Sequence, residues 1–290
     1  MKIGLLLPQS PTDGSGSTWP DISALARQAE DGGADSLWVS DHFFYRAPEA
    51  PIGTEDGGHE AWTLLSALAA TTTRVQLGPL VLATSFRPAA ILAKMAATLD
   101  DIADGRFILG LGCGWHEPEY DAFGYPFDHR VARFEEVLRI VRPLLGGERV
   151  TAGGRWQQVR DAALVPAPRH SIPILVAAKG ERMLRLTAEL ADAWQTAWFG
   201  LPDDRYRARR DGLRAACDAV GRDPATLEVT VGMDVQREPA DGAALPIERA
   251  ALVDAIGSWR AQAVDHLLIN VGPSTRETFE TVLEAMAAAR

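Results

Sequence analysis

Strand-like and helix-like segments alternate from one end of this chain to the other, eight times over, and few folds accommodate that pattern. Short apolar runs of strand length occupy residues 2–8, 35–40, 74–83, 106–112, 172–178, 193–197, 226–233 and 266–271. Helical spacing follows each of them, at 22–32, 60–72, 89–103, 131–145, 181–190, 203–220, 247–261 and 274–289. In 89–103 the spacing predicts Ile91, Met95, Leu99 and Ile102 on one face. Phe134 and Leu138 form the corresponding core stripe of 131–145. Residues 146–168 read as an inserted hairpin turning at Gly153-Gly154.

A strand reaches a parallel neighbour only through a crossover, so this alternation predicts a parallel sheet with helices packed outside it. Eight units without a composition break predict a closed (β/α)8 TIM barrel, one domain over 1–290, with loop insertions at its C-terminal face. A doubly wound open sheet is the rival. It wants a glycine-rich phosphate loop after the first strand, and Pro8-Gln9-Ser10-Pro11 stands there instead.

Charge and composition exclude some function classes. A formal net charge of −10 is the wrong sign for a nucleic-acid binder, though a few backbone N–H groups can still hold a phosphate. Two cysteines, Cys113 and Cys217, do not make a disulfide scaffold, which fits a reducing cytoplasm. The opening MKIGLLLP is stopped by Pro8 and reads as a strand rather than a signal peptide. No uncharged apolar run reaches the roughly 18 residues of a membrane span, so no membrane partner is expected.

In a barrel of this kind chemistry sits in the loops after the strands. After the second strand stand Asp41 and His42, a carboxylate and an imidazole able to position a substrate and move a proton near neutral pH. The alternative is a loop cap beside a packed histidine. After the fourth strand comes Gly110-Leu111-Gly112-Cys113-Gly114-Trp115. Its glycines permit close backbone approach and its Trp115 can cover an aromatic ring, or the segment is simply a tight strand exit. After the fifth, Ala177-Ala178-Lys179-Gly180 opens a helix, as an anion site or as a plain turn. Leu80, Val81 and Ala83, at the end of the third strand, carry no signal by pattern beyond apolar character. His116, Glu117, Glu119 and His129 match no specific metal-ligand spacing and read as a solvated loop, so no metal is expected.

At these segments the chain resembles the luciferase-like monooxygenase superfamily, in particular its branch dependent on the deazaflavin coenzyme F420. The resemblance is carried by SLWVSDHF (36–43), EAWTLLSALAATTTRVQLGPLV (60–81), AAILAKMAATLDDIADGRFILGLGCGWHEPEYDAFGYPF (89–127) and ILVAAKGERMLRLTAELADAW (174–194). It implies a barrel with an isoalloxazine-like ring across its mouth, backed by a bulge at Leu80–Val81 that often holds a non-proline cis peptide. It implies Asp41 and His42 as catalytic residues near the reactive carbon, with His42 moving the proton and Asp41 orienting it. Gly112, Cys113, Gly114 and Trp115, with Ala177, Ala178, Lys179 and Gly180, then hold the ribityl and phosphate parts; Leu80, Val81 and Ala83 complete the cofactor set. A homodimer is implied too.

The sugar-phosphate dehydrogenases of that branch carry Glu after the G-x-G of the fourth strand, where this chain has Trp115, so their activity is not carried over. The expected function is hydride transfer between F420 and a small organic substrate. Trp115, Phe123, Trp198 and Phe199 favour an apolar or aromatic one. The loops expected to select it are 44–58, 113–130, 198–202 and 237–245. The alternatives are an FMN-dependent monooxygenase and a non-catalytic flavin-binding protein. A metal-dependent hydrolase barrel would want a histidine pair on the first strand, which has none.

Overall fold

The computed structural model describes residues 1–10, 18–47, 50–239 and 244–290. Pro11, and residues 48, 49 and 240–243 of the loops expected to select a substrate, lie outside the described residues. The barrel staves are β1 (Lys2–Leu6), β2 (Ser36–Val39), β3 (Gln76–Pro79), β4 (Leu82–Ala83), β5 (Leu109–Gly112), β6 (Ile174–Ala177), β7 (Ala193–Phe199), β8 (Glu228–Gln236) and β9 (His266–Gly272). They run in the order β3-β2-β1-β9-β8-β7-β6-β5-β4, and every pairing along that path is parallel.

The third predicted strand explains nine barrel strands among the described residues where eight were expected. The predicted run 74–83 breaks at Leu80–Val81, where the peptide is cis. Its first half pairs with β2 and its second with β5. A parallel bridge from Leu77 to Phe107 closes the ring, with Ile108 N–H donating to Leu77 O at 2.8 Å.

Among the described residues there are nine α-helices: α1 (Trp19–Asp31), α2 (Ala61–Thr71), α3 (Ala89–Ala103), α4 (Glu117–Phe123), α5 (Arg130–Leu145), α6 (Glu181–Leu190), α7 (Asp204–Val220), α8 (Arg249–Ala261) and α9 (Arg276–Ala288). The predicted hairpin is present as Val150–Gly153 against Gln158–Ala162. A second one, Phe44–Tyr45 against Asp56–Gly57, lies in a stretch that sequence gave as loop.

The face expected for α3 needs correction. Leu99 is buried as expected, but Ile91 and Ile102 are exposed, and the helix buries Ala89, Leu92, Ala93, Ala96 and Ala103 beside Leu99. The helix packs chiefly against its neighbours α2 and α5, and small side chains allow such close approach.

Polar groups close the lower bore. Trp38 Nε1–H donates to Ser36 Oγ at 2.7 Å, and Ser36 Oγ meets His266 Nε2 at 2.7 Å. Glu228 Oε1 faces His266 Nδ1 at 3.5 Å. Nothing of His266 is exposed, and burial pushes its pKa down despite that carboxylate. The sign follows directly. Below the ordinary histidine value of about 6.5 the unfolded chain takes up a proton that the folded chain refuses. Stability at this residue is complete above that pH and falls as pH drops through it. Urea unfolding at pH 8 and pH 5.5 should show the wild type losing stability between them. His266→Gln should lose about 1 kcal/mol less over the same interval, and an identical loss in both would exclude the histidine as the source.

Candidate active site

Three loops converge at the C-terminal mouth, following β2, β5 and β6. They enclose a cavity of about 460 Å³ floored by Leu80 and Val81. All thirteen residues singled out from sequence line it: Asp41, His42, Leu80, Val81, Ala83, Gly112, Cys113, Gly114, Trp115, Ala177, Ala178, Lys179 and Gly180. Trp198, from a loop expected to select the substrate, also lines it, as do Glu119 and Gln195, which sequence reasoning had not assigned to a site. A second non-proline cis peptide, Ala197–Trp198, lies on this wall.

The glycine loop has a structural explanation first. Gly114 has φ +73°, and a β-carbon there would sit 1.7 Å from the Tyr120 hydroxyl. Tyr120 O–H donates to Cys113 O at 3.2 Å, so this exit from β5 is held by the ring behind it. Gly112 brings the backbone against Val81, whose Cγ2 would lie 2.7 Å from an added β-carbon.

His42 presents one side of its ring to the cavity. Its Nδ1 meets Glu119 Oε2 at 2.8 Å. The other carboxylate oxygen, Oε1, accepts the Phe43 N–H at 2.5 Å and the Phe44 N–H at 3.2 Å. Three donors on one carboxylate suit its ionised, acceptor-only form. That acceptor places the imidazole proton on Nδ1 and leaves Nε2 as the free lone pair. Trp115 lies edge-on to His42 at 5.4 Å. His116 packs 6.2 Å from the same ring, and burial keeps its pKa low. Its Nε2 accepts the Arg46 N–H, as a neutral ring can.

This arrangement corrects two expectations. Asp41 does not orient His42. Arg87 takes its carboxylate in a two-pronged pair at 2.8 and 2.9 Å, and the Ala83 N–H adds a third bond. Burial pushes the Asp41 carboxyl up while those donors pull the other way. Arg87 also reaches Glu60 at 2.7 Å, so Asp41 belongs to a buried clamp between the loop after β2 and β4. Nor is the His116–Glu119 segment a solvated loop. It opens α4, with Glu117 and Glu119 in the first turn, and Glu119 is 1% exposed. Among the described residues no group of three or more histidine, cysteine or acidic side chains could hold a metal ion.

The opposite rim is basic. Lys179 has no hydrogen-bond or ion-pair partner among the described residues, and its pKa is lowered by burial and by Arg209 and Arg205. Gly180 caps α6 without a side-chain bond to its first N–H groups, and a β-carbon there would meet nothing within 4 Å. Cys113 stays a thiol, its pKa raised by burial. Nitrogen NMR of neutral His42 should report the Nδ1–H tautomer in the wild type. Glu119→Leu should move the ring toward Nε2–H, the form preferred by a free histidine side chain, and an unmoved tautomer would show that Glu119 does not set it.

With this geometry in view, the comparisons with known proteins are specific. The family model described as luciferase-like monooxygenase matches residues 1–264. An F420-dependent glucose-6-phosphate dehydrogenase of Kineococcus radiotolerans is 35% identical over 223 residues, 73% of this chain and 64% of that protein. A phthiodiolone/phenolphthiodiolone dimycocerosates ketoreductase of Mycobacterium tuberculosis (strain H37Rv) is 36% identical over 212 residues, 67% of this chain and 55% of its own length. The match thus spans less than two thirds of either relative. Among solved structures, an F420-dependent secondary alcohol dehydrogenase in complex with an F420-acetone adduct superposes with TM-score 0.80 at 18% identity, covering 100% of this chain and 99% of that one. A monooxygenase from Streptomyces bottropensis gives TM-score 0.82 at 23% identity, covering 100% and 98%. At such identities these two establish the barrel and no more.

Proposed function

The chain belongs to the luciferase-like monooxygenase family, and on that premise we propose that it is an oxidoreductase using coenzyme F420 for hydride transfer to or from a small organic substrate. The observation that carries this reading is His42, its Nδ1 anchored on Glu119 and its ring edge lining the cavity.

The residues present fit such a coenzyme. Leu80, Val81, Ala83 and Phe86 offer an apolar bed for a flat ring. Lys179 and the N-terminus of α6 suit a phosphate. When bound, the coenzyme supplies a two-electron carrier that gives or takes a hydride. His42 Nε2 holds the accompanying proton, Glu119 fixes the ring plane, and Trp115 with Trp198 limits water at the mouth. The exposed faces of those two tryptophans favour a substrate with an apolar or aromatic part.

The same reading takes residues 1–290 as one domain and expects a homodimer. Its free cysteines, Cys113 and Cys217, accord with a cytoplasmic setting. Titrating the full chain with oxidised F420 and, separately, with FMN tests the cofactor. F420 should quench and saturate while FMN binds about tenfold or more weakly, a separation of roughly 1.4 kcal/mol. The reverse order would favour an FMN monooxygenase. In anaerobic assays over small alcohols and ketones, His42→Ala should lower turnover by roughly 10²-fold or more with cofactor affinity nearly unchanged. Unchanged turnover would remove His42 from the mechanism.

A further inference from the structure

A second cavity, of about 580 Å³, opens at the same end of the barrel between β1, β8 and β9. Leu6, which lines it, and Leu80 and Val81, which line the first, all pack against one buried cluster that includes Trp38 and Leu268. The second cavity's polar lining is one-sided. Asp234 Oδ1 accepts Gln236 Nε2–H at 3.0 Å and Asn270 Nδ2–H at 2.9 Å. A carboxylate accepts and does not donate, so both amide NH2 groups are turned toward it. Gln236 Oε1 and Asn270 Oδ1 are thereby left as acceptors, and neither takes a donor from the described residues.

The two hydroxyls are committed in the same sense. Ser40 O–H donates to Gln9 Oε1 at 2.9 Å, and Ser274 O–H to Val271 O at 2.7 Å. Each therefore offers the cavity lone pairs. Arg237, the cation on the rim, is paired with Glu277 at 2.9 Å, and Glu238 adds a negative charge. Acceptors thus outnumber the single free hydrogen left on each amide.

The geometry points to this cavity as the part of the substrate site that selects a hydrogen-bond-donating group, an alcohol or an ammonium, and rejects a carboxylate or phosphate. This deepens the oxidoreductase reading and rests on it for the word substrate. The selected molecule carries a hydroxyl or amino group at the end lying over β8 and β9, away from the part facing His42. An anionic end there would meet Glu238 and four oxygen acceptors, with the Asp234 charge behind the two amides and no unpaired Lys or Arg among the described lining residues, which disfavours a sugar phosphate.

Cyclohexylmethanol, cyclohexylmethylammonium and cyclohexanecarboxylate, one skeleton with three head groups, test this on the full chain. Binding is followed through the side-chain amide proton–nitrogen signals of Gln236 and Asn270. The alcohol and the ammonium should shift those signals and bind about tenfold tighter than the carboxylate. Asp234→Asn removes the charge and frees both amides to turn, so the preference for ammonium over carboxylate should shrink about tenfold. A carboxylate bound as tightly as the alcohol, shifts confined to other residues, no binding of any probe, or a preference that survives Asp234→Asn would each overturn the assignment. If melting shows that variant misfolded, Gln236→Met replaces it. It should weaken the alcohol about tenfold, and no weakening overturns the proposal. The F420 titration separates the two readings, since a chain with this selectivity but no affinity for F420 keeps the cavity's role and loses the oxidoreductase one.

Discussion

A carboxylate buried as deeply as Glu119 must have its lone pairs occupied, and meeting that demand organises the mouth of the barrel. Its donors come from the loop after β2, while the carboxylate itself rides on a helix reached from β5. Two loops far apart in sequence are thereby joined at one residue. The histidine between them is left with one nitrogen bound and one available. Removal of the carboxylate would strand two backbone N–H groups as well as the imidazole, so orientation of His42 and order in its loop are coupled.

Beneath this lies a second charged joint. Arg87 takes both oxygens of Asp41 and one of Glu60, pinning the loop after β2 to β4 and to the start of α2. A buried pair of this kind adds little net stability over apolar packing, yet loss of one partner is costly because the other charge stays behind. Its contribution is geometric. Asp41 holds the backbone from which His42 projects, while Glu119 holds the ring. The adjacent Asp-His pair therefore divides into a structural anchor and a candidate acid–base group.

The two cavities divide a different task. The first combines an apolar bed with a basic rim, which suits a flat ring ending in an anion. The second is lined by acceptors and faces the opposite staves. Leu6 of the second and Leu80 and Val81 of the first rest on one hydrophobic layer, the buried cluster that includes Trp38 and Leu268. Beneath it the Trp38–Ser36–His266 chain seals the bore, so the polar chemistry of the mouth is backed by a closed barrel.

Much of this was legible in the sequence because it depends on local pattern. Eight apolar runs followed by helical spacing determined the barrel, since a parallel sheet buried on both faces must read as short continuous apolar segments. The residues following β2, β5 and β6 were bound to gather at one rim, and the ten chosen this way line one cavity together with Leu80, Val81 and Ala83, which the family resemblance added. The Leu80–Val81 bulge was legible only through family resemblance, because an apolar pair at a strand end has no periodic signature. Tertiary structure alone decided the rest. The partner of His42 is 77 residues away, and that of Asp41 is 46 away. No spacing rule reports such pairings, so the carboxylate adjacent in sequence looked like the natural orienter. Glu119 reads as solvent-facing because an acidic helix start usually is; only packing against the loop after β2 buries it. Asp234 and Gln236 lie two residues apart on β8, but only barrel closure brings Asn270 of β9 to the same carboxylate, so the orientation of its amide is decided by tertiary structure.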